Sequence, residues 1–478
     1  MSQEPQASPY RPDPAIAPLA GWLGDAVEPA RFPQATVRFR NRRWDRAIGL
    51  DDLDEAGWIA RFARFDPLPG NLPRPLALRY HGHQFRVYNP EIGDGRGFLF
   101  AQVRDGAGRL LDLGTKGSGQ TPYSRTADGR LTLKGAVREI LATEMLEALG
   151  VYTSKTLSVI ETGEELVRHD EPSPARSAVM VRLSHGHVRI GTFQRLLVLE
   201  EAGQMAQLVD YCLAQFPGPP PPEEAPGRGE PAVILMHQAV ERMADLAAAW
   251  MVAGFVHGVL NTDNINITGE SFDYGPWRWL PAWDPGFTAA YFDQGGLYAF
   301  GRQPEAVNWN LGQLAVALRL LAEAPPLIAA LDRFGPLYMA AVGRRWCWRL
   351  GVEPRGPERD GPLVAASEQA MRESGEPPDR FFHRHRGGRA AEGDLARALE
   401  GYRPVAGTHP YWDEDAPQAM PIEEVESIWS AIERDDDWGP LEAKVEAVRR
   451  MGAAHGRAPR PQGHRLPEGE AGWQTIGL

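Results

Sequence analysis

The spacing of apolar residues changes character along the chain, and each change marks an element. Residues 98–103 and 109–113 are short strand-like runs on either side of Asp105-Gly106, a dipeptide that favours a tight turn, so they predict a hairpin. Over residues 133–149 the period becomes helical, with Val137, Ile140, Leu141, Met145 and Leu149 on one face and Gly150 placed as a stop. Strand-like composition returns at 156–162, 165–168 and 178–183.

The prolines of 217–222, in a stretch that ends near Arg228, cannot continue a helix and predict a loop or linker. Beyond it the period is helical again. Met236, Val240, Met243, Ala247, Trp250 and Met251 form one face of a long helix ending at Gly254, and residues 311–321 and 422–432 predict two more. Residues 1–75 are rich in Pro, Arg and aromatics, which suits an extended segment wrapping its neighbour. The expected organisation is therefore α+β: a wrapping segment over 1–75, a mixed, strand-rich unit over 76–195, a mainly helical unit over 196–440 and a C-terminal tail over 441–478. No internal repeat is visible.

Composition narrows the function classes. With 478 residues and 43% hydrophobic content the chain can bury a large core, and its net charge of -12 argues against a general nucleic-acid binder. Only Cys212 and Cys347 occur, which excludes a disulfide framework or a cysteine-rich zinc site and favours a reducing compartment. The N-terminus has no basic stretch leading into an apolar core, and nowhere do eighteen apolar residues run together. A cytoplasmic protein that binds neither membrane nor nucleic acid is expected.

The densest chemistry follows the long helix. His257-Gly258-Val259-Leu260-Asn261-Thr262-Asp263-Asn264 precedes Asp273-Tyr274-Gly275. Kinase catalytic loops run His-Arg-Asp-Leu, three residues and Asn, then Asp-Phe-Gly, because a metal-bound phosphate needs an amide oxygen and a carboxylate converging from two loops. His257, Leu260 and Asn264 keep that register, so Asn264 and Asp273 are the candidate metal ligands. Val259 stands where the kinase base aspartate would fall and can accept no proton. Asp263, one residue before Asn264, is the candidate base from a shifted position. Read alone, Asn-Thr-Asp-Asn is equally an Asx-rich turn.

Upstream, Lys116 ends a strand-like stretch and Glu139 sits on the helix that follows. A strand lysine paired with a helix glutamate is how kinase folds aim an ammonium at phosphates, whereas either residue alone reads as a solvated surface charge. The expected fold is thus protein-kinase-like and two-lobed, with a β-rich first lobe and an α second lobe. Gly93-Asp94-Gly95-Arg96-Gly97 is a weak phosphate-loop signal, whose bland reading is a tight turn, and no dinucleotide or P-loop fingerprint occurs. Arg182 and Arg189 flank Leu-Ser-His-Gly-His-Val, and Arg125 lies in Thr-Pro-Tyr-Ser-Arg. Each is an ordinary surface residue by itself, but several arginines near one lysine suit a polyphosphate. His257 reads as a structural brace, His383 and His385 as members of a solvated loop, and Asp435-Asp436-Asp437 as a solvated run.

Longer stretches carry a resemblance. LDLGTKGSGQTPYSRTADGR, VRLSHGHVRIGTF, HGVLNTDNINITGESFDYGPW and QPEAVNWNL resemble the signatures of the selenoprotein O family, called YdiU in bacteria, over roughly residues 80–320. The resemblance implies a pseudokinase fold that transfers AMP from ATP to Ser, Thr or Tyr hydroxyls of proteins, with the nucleotide inverted relative to a kinase. It assigns Gly93, Gly95, Arg96, Lys116, Asp128, Gly129, Arg182, Arg189 and Asp273 to the nucleotide, and Asn264 and Asp273 to Mg2+ or Mn2+. Asp263 becomes the proton acceptor and Glu139 the partner of Lys116. Many members carry a cysteine or selenocysteine near the C-terminus; this sequence ends GEAGWQTIGL, so a C-terminal thiol switch is not expected. A phosphotransferase, or a non-catalytic nucleotide-binding scaffold, are the alternatives.

Overall fold

The computed structural model describes residues 8–168, 172–405, 407 and 409–459. It is a mixed α/β structure in which an antiparallel sheet is built first and helices follow. The strands are β1 (Gly24–Ala26), β2 (Thr36–Arg40), β3 (Leu76–Leu78), β4 (Gly82–Gln84), β5 (Val87–Asn89), β6 (Leu99–Arg104), β7 (Leu110–Lys116), β8 (Leu131–Thr132), β9 (Lys155–Leu166) and β10 (Ala175–Ser184). The main sheet runs β1-β3-β6-β7-β10-β9-β2, with β8 on β10, while β4 and β5 form a separate hairpin. Residues 8–75 do more than extend. They supply β1 and β2 at opposite ends of the sheet and the short helices Arg42–Ala47 and Glu55–Phe62.

Alternation along the strands sorts the side chains onto two faces. Leu111, Leu113, Val179 and Val181 point to a layer formed with Trp44, Trp58, Phe62 and Phe65 from the N-terminal segment. Leu110, Ala178 and Met180 face the opposite way, into the larger core shared with the helices. Because Met180 is registered with Lys116 across β10 and β7, Lys116 and Arg182 emerge on that second face together. Residues 156–162 and 165–168, expected as two strands, are spanned to Leu166 by the single strand β9. Gly163, which reads as a break in the sequence, is accommodated at φ +74° without ending the strand.

Helix Leu133–Ala148 begins with the Thr132 hydroxyl accepting from Gly135 N, and the chain leaves it through Gly150 at φ +71°. Pro231–Ala253 starts with proline in its first turn and ends at Gly254 in the left-handed region. The sequence showed one apolar face, but nearly the whole helix is buried, with polar residues paired: the Arg345 guanidinium holds Asp245 at 2.5 Å. Just beyond it, β11 (Phe255–Val256) and β12 (Arg278–Trp279) pair and close the loop that carries residues 257–277.

The C-terminal helices Ile422–Asp435 and Gly439–His455 pack back on Leu133–Ala148. Residues 460–478, including the cysteine-free C-terminus, lie outside the described residues. His383 and His385 correct the solvated-loop expectation. His383 is buried within helix Pro378–Arg384 and His385, just past its end, is 3% exposed, its ring tilted against Phe381, because the apolar Phe381-Phe382 pair pulls the segment inward. Asp435, Asp436 and Asp437 are exposed as expected, although Asp436 bridges Arg38 and Arg176. Among the described residues, no helix is long and apolar enough to cross a membrane.

Candidate active site

Lys116 is the last residue of β7, and Glu139 lies in the second turn of Leu133–Ala148, which crosses the same face of the sheet. The ammonium donates to Glu139 Oε2 at 2.6 Å, and both residues are buried. Burial depresses the Lys116 pKa while Glu139 opposes that shift. Glu139 Oε1 has no hydrogen-bond partner among the described residues and faces Arg182 Nη1 at 3.9 Å.

Arg182, from β10, and Arg189, just before helix Ile190–Val198, converge on one carboxylate. Arg182 Nη1 donates to Asp273 Oδ1 at 2.5 Å, and Arg189 Nη1 donates to Asp273 Oδ2. Both guanidiniums lie over the Phe272 ring, and Arg189 also lies over Tyr80. Burial alone would raise the Asp273 pKa, but the charges of Arg182, Arg189 and Lys116 outweigh it and hold the carboxyl far below the usual range. Asp273 sits at φ +60°, an uncommon place for a residue with a Cβ and one that concentrates at functional sites.

The same Arg189 nitrogen donates to the Asp263 carbonyl at 2.7 Å, joining the two loops. Asp263 itself differs from Asp273. Its Oδ1 is buried with no hydrogen-bond partner among the described residues, and burial pushes its pKa up to about 6. Asn264 donates from Nδ2 to the Val259 carbonyl at 3.2 Å, which leaves the amide oxygen as its free ligand atom. His257 is a brace: its ring nitrogen meets the Phe272 carbonyl at 3.0 Å, and its backbone N–H donates to Gln303. The hairpin β4–β5 is bonded to the loop by His83 N to Thr262 Oγ1 at 2.7 Å and Phe85 N to Asn261 Oδ1 at 2.9 Å.

The remaining expected residues divide. Arg96 is exposed, and its charge reaches Lys116. Gly93 and Gly95 lie against the Tyr123 turn: a Cβ on Gly93 would stand 2.5 Å from the Tyr123 ring, so these glycines serve close packing of two loops. Asp128 is engaged elsewhere, paired with Arg168 at 2.8 Å and capping Arg130 N, and Gly129 takes φ +70° against the Gly119 backbone. Arg125 is exposed at φ +52°. Sequence reasoning missed Asp94, whose carboxylate reaches Arg189 at 3.4 Å and accepts from Leu78 N, and the rings of Tyr80 and Phe272. Asp94 lay inside the glycine motif and Phe272 beside Asp273, so position in the motifs was a signal for both.

Among the described residues, no group of three or more His, Cys, Asp or Glu side chains is arranged to hold a metal alone. The donor set nevertheless fits a hard divalent cation that takes most of its ligands from phosphate and water: an amide oxygen at Asn264 and a carboxylate at Asp273.

A family model described as protein adenylyltransferase SelO matches residues 10–391. A protein nucleotidyltransferase YdiU from Synechococcus elongatus is 42% identical, over 93% of this chain and 95% of that protein. Proteins of the same description from Synechocystis sp. and Pseudomonas putida are each 40% identical. The first spans 91% of this chain and 97% of its own, and the second 80% and 76%.

Proposed function

The chain belongs to the SelO family of protein adenylyltransferases and is a nucleotidyltransferase; from that premise we propose that it transfers AMP from ATP to Ser, Thr or Tyr hydroxyls of proteins, releasing pyrophosphate. The nucleotide lies between a sheet-bearing lobe and a helical lobe of kinase-like arrangement, inverted relative to a kinase. The observation that carries this reading is the convergence of the buried Arg182 and Arg189 on Asp273, beside a loop with a carboxylate at Asp263 and none at Val259.

Two guanidinium groups in a water-poor site match a diphosphate leaving group, whose negative charge grows as the bond to the α-phosphorus breaks. Lys116, kept in place by Glu139, directs a third cation at the phosphates. Asn264 and Asp273 would hold Mg2+ or Mn2+, which supplies neutralising charge at the phosphate oxygens. Nucleotide phosphates entering the arginine forks would release the Asp273 oxygens, so charge stays matched throughout. Asp263 takes the proton from the acceptor hydroxyl as its oxygen bonds to the α-phosphorus and the α–β bridging P–O bond breaks. A carboxylate with a pKa of about 6 is ionised at neutral pH yet basic enough to accept that proton.

Incubation with ATP labelled at the α- or the γ-phosphate tests the reading. Label should enter protein from the α-position only. Transfer of γ-label without α-label would establish a phosphotransferase instead, and nucleotide binding with neither transfer would leave a scaffold.

A further inference from the structure

We infer that Arg449, on the C-terminal helix Gly439–His455, is a positioning residue for the Lys116–Glu139 pair. The inference rests on the reading that this pair holds the nucleotide phosphates. Glu139 and Glu144 share helix Leu133–Ala148, five positions apart, so they project about 140° from each other around the axis. Glu139 faces Lys116; Glu144 faces the other side, where it is 4% exposed. There Arg449 closes on it with both arms of its fork, Nε to Oε2 at 2.8 Å and Nη2 to Oε1 at 2.6 Å, across 305 residues of chain. Asn41 Nδ2 adds a bond to Glu144 at 3.0 Å, and Arg43 Nη2 reaches Glu144 at 3.3 Å and Glu147 at 3.0 Å.

The helix carrying Glu139 is therefore gripped from behind by the two ends of the described chain. Adhesion alone does not need this. Leu441, Val445, Val448 and Met451 already bury an apolar face of the C-terminal helix, and a buried ion pair adds little net stability once its desolvation is counted. A bidentate pair does fix direction: it sets the rotation of one helix against the other, which apolar contact leaves softer. Rotation of Leu133–Ala148 about its axis is the motion that would carry Glu139 away from Lys116. In kinase folds, placement of this helix controls whether the lysine–glutamate pair forms.

The test is titration of the full-length chain with ATP and Mg2+, well below each variant's unfolding temperature, beside a measured Tm. Arg449→Met should weaken nucleotide binding about 3- to 30-fold, the range of long-range coupling effects. Glu144→Gln, which keeps a hydrogen-bonding side chain, should move affinity in the same direction, and Arg449→Lys should recover part of it. In a Glu139→Gln background, Arg449→Met should cause no further loss, because the group it positions is already gone. Unchanged affinity with a lowered Tm, or an additive loss in the Glu139→Gln background, would reduce Arg449 to a structural residue and overturn the inference. A wild-type chain that bound no nucleotide would instead overturn the assignment of the Lys116–Glu139 pair, and this inference with it.

Discussion

Asp273 and Asp263 hang from the one loop closed by β11 and β12, and a single Arg189 nitrogen touches both residues, yet their carboxyls are driven in opposite directions. At Asp273 three cations surround the carboxylate, overcome the effect of burial and hold the carboxyl well below the usual carboxylate range. At Asp263 the same cation meets the backbone carbonyl, Oδ1 has no hydrogen-bond partner among the described residues, and burial outweighs both the charge of Arg189 and a side-chain hydrogen bond with Gln84. Identical side chains are thus pushed in opposite directions, a difference set by which atom the arginine contacts.

The comparison is broken most severely at the carboxylate the two arginines hold. Asp273→Ala strips the charge that neutralises Arg182 and Arg189 and removes the anionic metal ligand, so AMP transfer should fall to background. Nucleotide titrations should lose their Mg2+ dependence; a variant with wild-type metal dependence would refute the role given to Asp273.

At the titrating group, Asp263→Asn should lower AMP transfer by about 10² to 10⁴, the usual worth of general-base help, while ATP affinity stays within a few-fold. The wild-type rate should fall as pH drops through about 6, where Asp263 takes up its proton, and this step should be missing from the Asn variant. If Asp263 only caps a turn, Asn would serve equally well and the rate would hardly change.

The same variant sharpens the contrast through stability. The folded pKa of Asp263 lies above its ordinary value of 3.8, so the favourable contribution of the protonated form is complete below about pH 4 and is lost as pH rises through about 6. Asp263→Asn escapes that loss. It should be more stable than wild type by up to about 2 to 3 kcal/mol at pH 8 and indistinguishable at pH 4, read as unfolding midpoints in denaturant at the two pH values. The smallest effect is expected at Val259→Ala. Asn264 uses only the Val259 carbonyl, so transfer should stay within about threefold if no base acts from that position; a drop of 10² or more would contradict the shifted-base reading.

Much of this site was legible before any fold was known, for local reasons. The order His257, Asn264, Asp273 is a matter of spacing along one loop, and Lys116 with Glu139 follows from a strand end and the next helix. Arg182 and Arg189 were nameable as isolated arginines, but nothing local said that they meet at Asp273, 91 and 84 residues further on. Asp128, by contrast, was named from the resemblance, and the structure pairs its carboxylate with Arg168. Residues 156–162 and 165–168 were expected as separate strands from composition alone, whereas pairing with β10 carries β9 through Gly163 as one strand.

By itself the sequence determined the periods, the stops at Gly150 and Gly254, and the chemical types offered at each motif, since all of these depend on neighbours within a few residues. Only the tertiary structure decided which charges meet, and therefore that the Asp273 carboxyl is driven down and the Asp263 carboxyl up, because burial and the direction of Arg189 arise from segments folded together across the chain. It also decided that Arg449 lies behind Glu144. A pair 305 residues apart leaves no periodic trace in either segment, and each residue alone looks like any other charge on a helix.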